Sequence, residues 1–242
     1  MKFPVLIALF AQALFAEEVA VQDNDRIVGG SPAPLIPWMV SLQSGGRHFC
    51  GAQMLNPTTV LTAGHCVQGV SASQVTVRLG ITNLSGGGGE TLRASRIISH
   101  PGFDYDSLAN DVAIIKLATP SKNTQFVQLD TTGIATPGLS VVNYGWGNIR
   151  NGGPSSSTLL QVGLTVRADS ECQNSLDGFD GRWSVCAHGA TDVETPCNGD
   201  SGGPLVANGN ILVGTVSYGD SCRSYSVFAR VSYLKSFIQQ YL

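Results

Sequence analysis

From Trp38 onward the chain is a series of short apolar runs broken by Gly, Ser and Asn. "WMVSLQSGGRHFCGAQML" reads as two β-rich runs around a Ser-Gly-Gly turn, a hairpin. "QVTVRLG", "TLRASRIIS", "DVAIIKL", "SVVNYGWG" and "LLQVGLTVRA" follow at the regular spacing of an all-β barrel or sandwich. "GPLVANGNILVGTVSYG" is a further hairpin, with Asn208-Gly209 supplying the positive-φ turn. Only the end carries a helical pattern: Val231, Leu234, Phe237, Ile238 and Tyr241 recur on one face of "RVSYLKSFIQQYL". That face is expected to pack on the domain and to carry no chemistry.

The first residues break this pattern. In "MKFPVLIALFAQALFA" a lone Lys2 precedes an apolar run that ends in small residues, the layout of a secretory signal peptide. The run is too short for a comfortable membrane span. Residues 1–16 are therefore expected to be removed, with cleavage after Ala16 or, alternatively, after Ala13. "EEVAVQDNDR", residues 17–26, is polar and acidic with little to pack. The rest, 242 residues less these, suffices for one large β domain or two small ones with a real core.

Composition narrows the function classes. A formal net charge of −3 gives no basic footprint for nucleic acid or an anionic membrane. The cysteines are Cys50, Cys66, Cys172, Cys186, Cys197 and Cys222, an even set beyond the leader, which on an exported chain argues for disulfides. By sequence alone six cysteines permit about fifteen pairings. The CxxC and HxxxH spacings that would support zinc are absent, and no metal or cofactor is expected. Asn83-Leu84-Ser85 is an N-glycosylation sequon, next to the surface loop "SGGGGE".

The candidate chemistry centres on "ETPCNGDSGGPL", Glu194 to Leu205. A serine hydroxyl attacks poorly unless a base takes its proton, and the attack builds an oxyanion that needs preorganised backbone donors, each worth ~2.7–4 kcal/mol of barrier. Gly199 and Gly202 flank Asp200-Ser201, so the backbone can turn sharply and bring the N–H groups of Gly199 and Ser201 together. His65, at the end of the apolar run "VLTAGHCV", is a candidate base, and Asp111, opening "NDVAIIKL", a candidate to set its tautomer. Taken singly, His65 reads as a core histidine, Asp111 as a strand-end cap and GDSGG as a glycine-rich turn.

Together, "IVGG", "LTAGHC", "NDVAIIKL", "GWG", "CNGDSGGPL" and "VSYG" resemble, in order and spacing, the chymotrypsin/trypsin family of serine proteases, from Ile27 to Leu242. The resemblance implies two six-stranded antiparallel β-barrels, roughly 27–135 and 136–230, a C-terminal helix, and an active site between the barrels. It implies His65 as general base and acid, Asp111 as its orienter, Ser201 as nucleophile, and an oxyanion hole of Gly199 and Ser201 N–H. It implies the pairs Cys50–Cys66, Cys172–Cys186 and Cys197–Cys222. Ser217, Tyr218 and Gly219 would line the substrate strand's edge, and Thr195, Pro196 and Ser226 the primary pocket. Cleavage after Arg26 would free an Ile27 ammonium to pair with Asp200 and organise the Gly199 amide, so the uncut chain should lack a formed oxyanion hole. Secretion, action on proteins or peptides as a monomer, an activating trypsin-like protease and protein inhibitors as partners complete the expectation.

In such proteases the residue six places before the nucleophile forms the pocket floor, here Thr195, which suits apolar side chains and not Arg or Lys. Two alternatives compete: Arg/Lys specificity through Asp220, or a non-catalytic homologue that binds or inhibits. Three departures from the family pattern stand out. Ser226 and Tyr225 replace a common Gly and Pro. Gly64 replaces a common Ala beside His65, which should loosen the chain there. Ile81 falls where calcium-binding members carry Glu, so no calcium site is expected.

Overall fold

The computed structural model describes residues 29–242. The expected leader, Arg26 and Ile27 lie outside the described residues. The strands, in chain order, are β1 (Ser31–Pro32), β2 (Met39–Ser44), β3 (Arg47–Asn56), β4 (Thr59–Thr62), β5 (Thr76–Leu79), β6 (Glu90–Ser99) and β7 (Ala113–Leu117). They continue as β8 (Gln128–Leu129), β9 (Ser140–Gly145), β10 (Leu160–Val166), β11 (Ser184–His188), β12 (Pro204–Ala207), β13 (Ile211–Asp220) and β14 (Arg223–Arg230). The helices are α1 (Asp169–Ser175) and α2 (Val231–Gln239).

Strands β2-β3-β4-β7-β6-β5 close into one antiparallel barrel. The second closes through β10-β11-β14-β13-β12-β9, with β9 pairing back onto β10. The short β1 and β8 join its flanks, β8 running parallel to β13. This is the expected fold. Each barrel is filled by inward-facing aliphatic side chains: Val40, Leu42, Met54, Leu61 and Ile114 in the first; Leu160, Val185, Leu205, Val213 and Phe228 in the second. Fully burying one such side chain contributes about 1.5–3 kcal/mol, and closure removes the exposed sheet edges that would otherwise invite aggregation.

The turns follow the sequence closely. Gly45 and Gly46, at φ 58° and 79°, form the two-residue turn of β2–β3, a backbone an L side chain adopts only with strain. Asn208 and Gly209 both take positive φ, as their sequence demands, but Ala207 pairs with Ile211, so the loop is one residue longer than the minimal turn.

In α2, Val231, Leu234, Phe237 and Ile238 are buried in the first barrel's core cluster. That cluster also takes in Val206, Leu212 and Ala229 of the second barrel, so the last helix braces the two barrels together. Lys116 Nζ donates to the carbonyl of Tyr241, just past the helix, at 2.9 Å. Helix α1 was not expected. It has seven residues and buries only Cys172, so it carries no apolar stripe to read. What holds it is tertiary: the Cys172–Cys186 disulfide, and Tyr225 Oη donating to Glu171 at 2.6 Å.

Candidate active site

The cleft between the barrels collects the residues that the sequence singled out. Asp111 lies two residues ahead of β7 and is wholly buried. Its Oδ2 accepts from His65 Nδ1 at 2.7 Å and from Ser217 Oγ at 2.6 Å, and its Oδ1 accepts the His65 backbone N–H at 2.8 Å. Three donors offset the cost of taking the carboxylate out of water. With the Nδ1 proton directed at a carboxylate, Nε2 keeps its lone pair, the tautomer a general base requires. His65 opens a short 3-10 turn after β4, and its neighbour Cys66 is bonded to Cys50 on β3. The imidazole is thus fixed by a disulfide on one side and a carboxylate on the other.

Ser201 arrives from the second barrel. Its carbonyl accepts from Gly51 N–H, one residue past Cys50, at 2.8 Å. Gly202, at φ 75°, makes this approach possible: a Cβ there would overlap Thr62 Oγ1 and lie 2.5 Å from the Gly51 carbonyl. No hydrogen bond joins His65 Nε2 to Ser201 Oγ. In ligand-free catalytic sites that bond is commonly long and tightens on the substrate.

The peptide planes around the serine are pinned from behind. The Asn198 carbonyl accepts from Asn148 N–H at 2.7 Å, and the Asp200 carbonyl from Gly203 N–H at 2.9 Å. A trans peptide points its N–H opposite its carbonyl, so the amides of Gly199 and Ser201 are aimed away from those anchors. Neither donates to another described residue. The Gly199 carbonyl accepts from His48 Nε2 at 3.0 Å, and His48 Nδ1 faces Ser41 Oγ at 2.9 Å. Burial holds the His48 pKa below its ordinary value, which keeps the ring neutral for this pairing. Gly199 itself sits at φ 97°.

Asp200 points the other way, into the protein. It is fully buried, and among the described residues its oxygens accept the N–H groups of Gly147 (2.8 Å) and Cys197 (2.9 Å). Burial pushes its pKa up to about 6. This explains "GWG": a Cβ on Gly145 or Gly147 would overlap the Asp200 carboxylate. No cation pairs with it among the described residues.

Beside Ser201 opens a cavity of ≈ 410 Å³, lined among others by Pro196, Cys197, Ser217, Tyr218, Gly219 and Ser226. Among the described residues no charged side chain lines it. The Cys197–Cys222 disulfide braces its wall. Thr195, expected as the floor, is buried beneath and does not line the cavity. Its hydroxyl is bonded at 2.6 Å to that of Ser226, which does line the cavity. Asp220 does not line the cavity either; it ends β13, exposed.

The trypsin family model matches residues 27–238. Trypsin delta of Drosophila melanogaster is 36% identical over 98% of both chains, and Trypsin of Xenopus laevis is 36% identical over 99% of this chain and 98% of its own. The chain belongs to the trypsin family. It is accordingly a serine endopeptidase, and all three of its expected disulfides are present.

Set beside the family pattern, one departure acts otherwise than expected. Gly64 is not loosened: it holds a helical φ of −63° and ψ of −43°. The ring of Phe103 lies 3.1 Å from where its Cβ would be, so Phe103 fills the space of the missing methyl. Ile81 is buried. Four contributors to this protease's site escaped the sequence reading. The Ser217 hydroxyl on Asp111 was hidden behind that residue's expected backbone role. Asn198 lines the cavity from within CNGDSGGPL, where the nucleophile drew the reading, while Asn151, which also lines it, and His48 behind Gly199 carry no local motif; only the folded barrels bring them there.

Proposed function

We propose that this protein is a secreted endopeptidase, made as a zymogen, that cuts after apolar residues by an acyl-enzyme mechanism. The arrangement that carries the reading is the Ser217–Asp111–His65 hydrogen-bond chain, facing Ser201 at the mouth of an uncharged cavity. Ser201 Oγ attacks the substrate carbonyl as His65 Nε2 takes its proton, and the new oxyanion faces the Gly199 and Ser201 amides. His65 then returns the proton to the leaving amine. Water, deprotonated by the same nitrogen, hydrolyses the acyl-enzyme.

The cavity favours Leu and Met, with Phe and Tyr behind them because Ser226 lines it. A guanidinium or ammonium would lie there without a carboxylate, at a cost of several kcal/mol. The free edge of β13 supports substrate pairing. β12 accompanies β13 only as far as Thr215, and Val216 is taken by Gly202 and Gly203. Among the described residues, Ser217 to Asp220 therefore present an unpaired strand edge beside the cavity, suited to an extended peptide.

Cleavage after Arg26 is proposed to free the Ile27 ammonium for Asp200. The buried carboxylate, with no cation on it among the described residues, supports this, since such a group is costly until paired. An uncharged pocket should not accept Arg26, so activation falls to a separate trypsin-like protease. Asn83 is exposed, its side-chain oxygen capping Ser85 and Gly86, and is proposed to carry a glycan.

The test is fluorophosphonate labelling of purified chain before and after cutting at Arg26. Labelling is expected to require intact Ser201 and to rise on cutting. Proenzyme that processes itself at Arg26, with Ser201→Ala unable to do so, would sink the separate-activator reading.

A further inference from the structure

The unpaired edge of β13 does not stop at the cavity. It runs on to Asp220, where β13 turns back into β14 through Ser221 and Cys222, both in the left-handed region at φ 47° and 59°. Asp220 is exposed and has no cation within 4.0 Å among the described residues. Its direct partner across the turn, Arg223, is equally exposed and forms no ion pair with it. A carboxylate thus stands free at the far end of a strand edge that begins at the catalytic centre. It is too far along the strand to serve the cavity, whose lining it does not join.

The register of a bound substrate places this carboxylate. Ser217 holds the buried end of the edge, its hydroxyl on Asp111. A substrate strand lying antiparallel on that edge sets the residue before the cut bond opposite Ser217, with its side chain in the cavity. The pairing of β13 with β14 is irregular between Val216 and Tyr218 and between Gly219 and Asp220, but at the second place the unpaired residues, Ser224 and Tyr225, lie on β14; counted along β13 from Ser217, the second residue before the cut lies opposite Tyr218, the third opposite Gly219 and the fourth opposite Asp220. Directly opposed residues in an antiparallel pair have Cβ atoms about 4.5–5.5 Å apart, so their side chains meet.

We infer that Asp220 selects substrates carrying Lys or Arg four residues before the cut bond, and that basic specificity in this protease lies there rather than in the primary pocket. The inference rests on the substrate pairing proposed above. The other charged groups that face this end of the strand are few. Arg223 opposes the effect from β14. Asp180, close enough to act on Tyr218 through its charge, is itself held by Arg182. Because the pair is solvent-exposed, the preference is modest: about two- to fivefold in kcat/KM for Arg over Gln, from the usual strength of exposed ion pairs.

Three peptides with Leu before the cut, differing only in Arg, Gln or Glu at the fourth place, test this on cut enzyme. The expected order is Arg, then Gln, then Glu, narrowing as salt is raised because screening at ~1 M extends to about 3 Å. Asp220→Asn should erase the order. Arg223→Gln should widen it. An order that survives Asp220→Asn, or an active wild-type enzyme that shows none, overturns the inference and leaves the proposed mechanism standing. A cut enzyme that neither hydrolyses any of the peptides nor takes up fluorophosphonate overturns both.

Discussion

Asp200 offers a prediction whose size can be worked from its surroundings. In the uncut chain the carboxyl is fully buried, with two backbone donors and no cation among the described residues. Its pKa is raised from 3.8 to about 6. A carboxyl whose folded pKa is raised favours folding while protonated, below about pH 4, and that advantage is lost as pH rises through 6. Two pKa units at 1.36 kcal/mol each put the cost above pH 6 at roughly 3 kcal/mol. An Ile27 ammonium delivered by cleavage would reverse the sign: the paired carboxyl's pKa falls, and its stabilisation is present at neutral pH and lost on acidification. At about 2–4 °C per kcal/mol for a domain of this size, cutting after Arg26 should raise Tm at pH 7.5 by roughly 6–12 °C. The gain should shrink sharply at pH 4. Calorimetry on cut and uncut Ser201→Ala chain, which cannot digest itself, reads this directly. In an added Asp200→Asn background the gain from cutting should largely vanish, while the uncut chain should no longer lose stability between pH 4 and 7.5. A gain of the same size with Asn at position 200 would refute the reasoning, because the new N-terminus would then be stabilised by something other than this carboxylate.

Three further outcomes follow from the same geometry. Ser217→Ala removes a buried donor from Asp111, and kcat should fall about ten- to a hundredfold with KM little changed, since a lost hydrogen bond to a buried charged group is worth ~1.5–3 kcal/mol. Ser226→Gly should deepen the cavity and shift cleavage from Leu and Met toward Phe and Tyr, with Thr195 keeping its weaker bond to the Pro196 carbonyl at 3.3 Å; profiling with matched peptides reads the ratio. Gly64→Ala should destabilise by about 1–3 kcal/mol, because its Cβ would lie 3.1 Å from the Phe103 ring and 3.3 Å from Asp111 Oδ1. Adding Phe103→Leu should recover part of that loss in a thermal melt.

The fold was legible because its signals are local. Apolar runs gave the barrel strands, Gly45-Gly46 and Asn208-Gly209 gave turns, and Val231 to Ile238 gave the last helix. Helix α1 was not, since a disulfide and one tyrosine hold it where no apolar stripe exists. The site divides in the same way. His65, Asp111 and Ser201 stand inside motifs whose glycines, cysteines and flanking strands are visible in order. The pocket is less legible: register points to Thr195, but its bond to Ser226, which lines the cavity where Thr195 does not, comes only with the pairing of β11 and β14 and the fold of the 195 segment. Phe103, thirty-nine residues from Gly64, could not be found from the glycine that makes room for it.

The central claim is that Ser201 cleaves peptides above an uncharged pocket. Its most direct test is a mixed peptide library incubated with chain cut after Arg26, with Ser201→Ala alongside, and the cleavage sites mapped by mass spectrometry. The predicted result is cuts after Leu and Met, fewer after Phe and Tyr, and none with Ser201→Ala. Cuts after Arg or Lys would contradict the pocket assignment, and cuts that persist with Ser201→Ala would contradict the nucleophile.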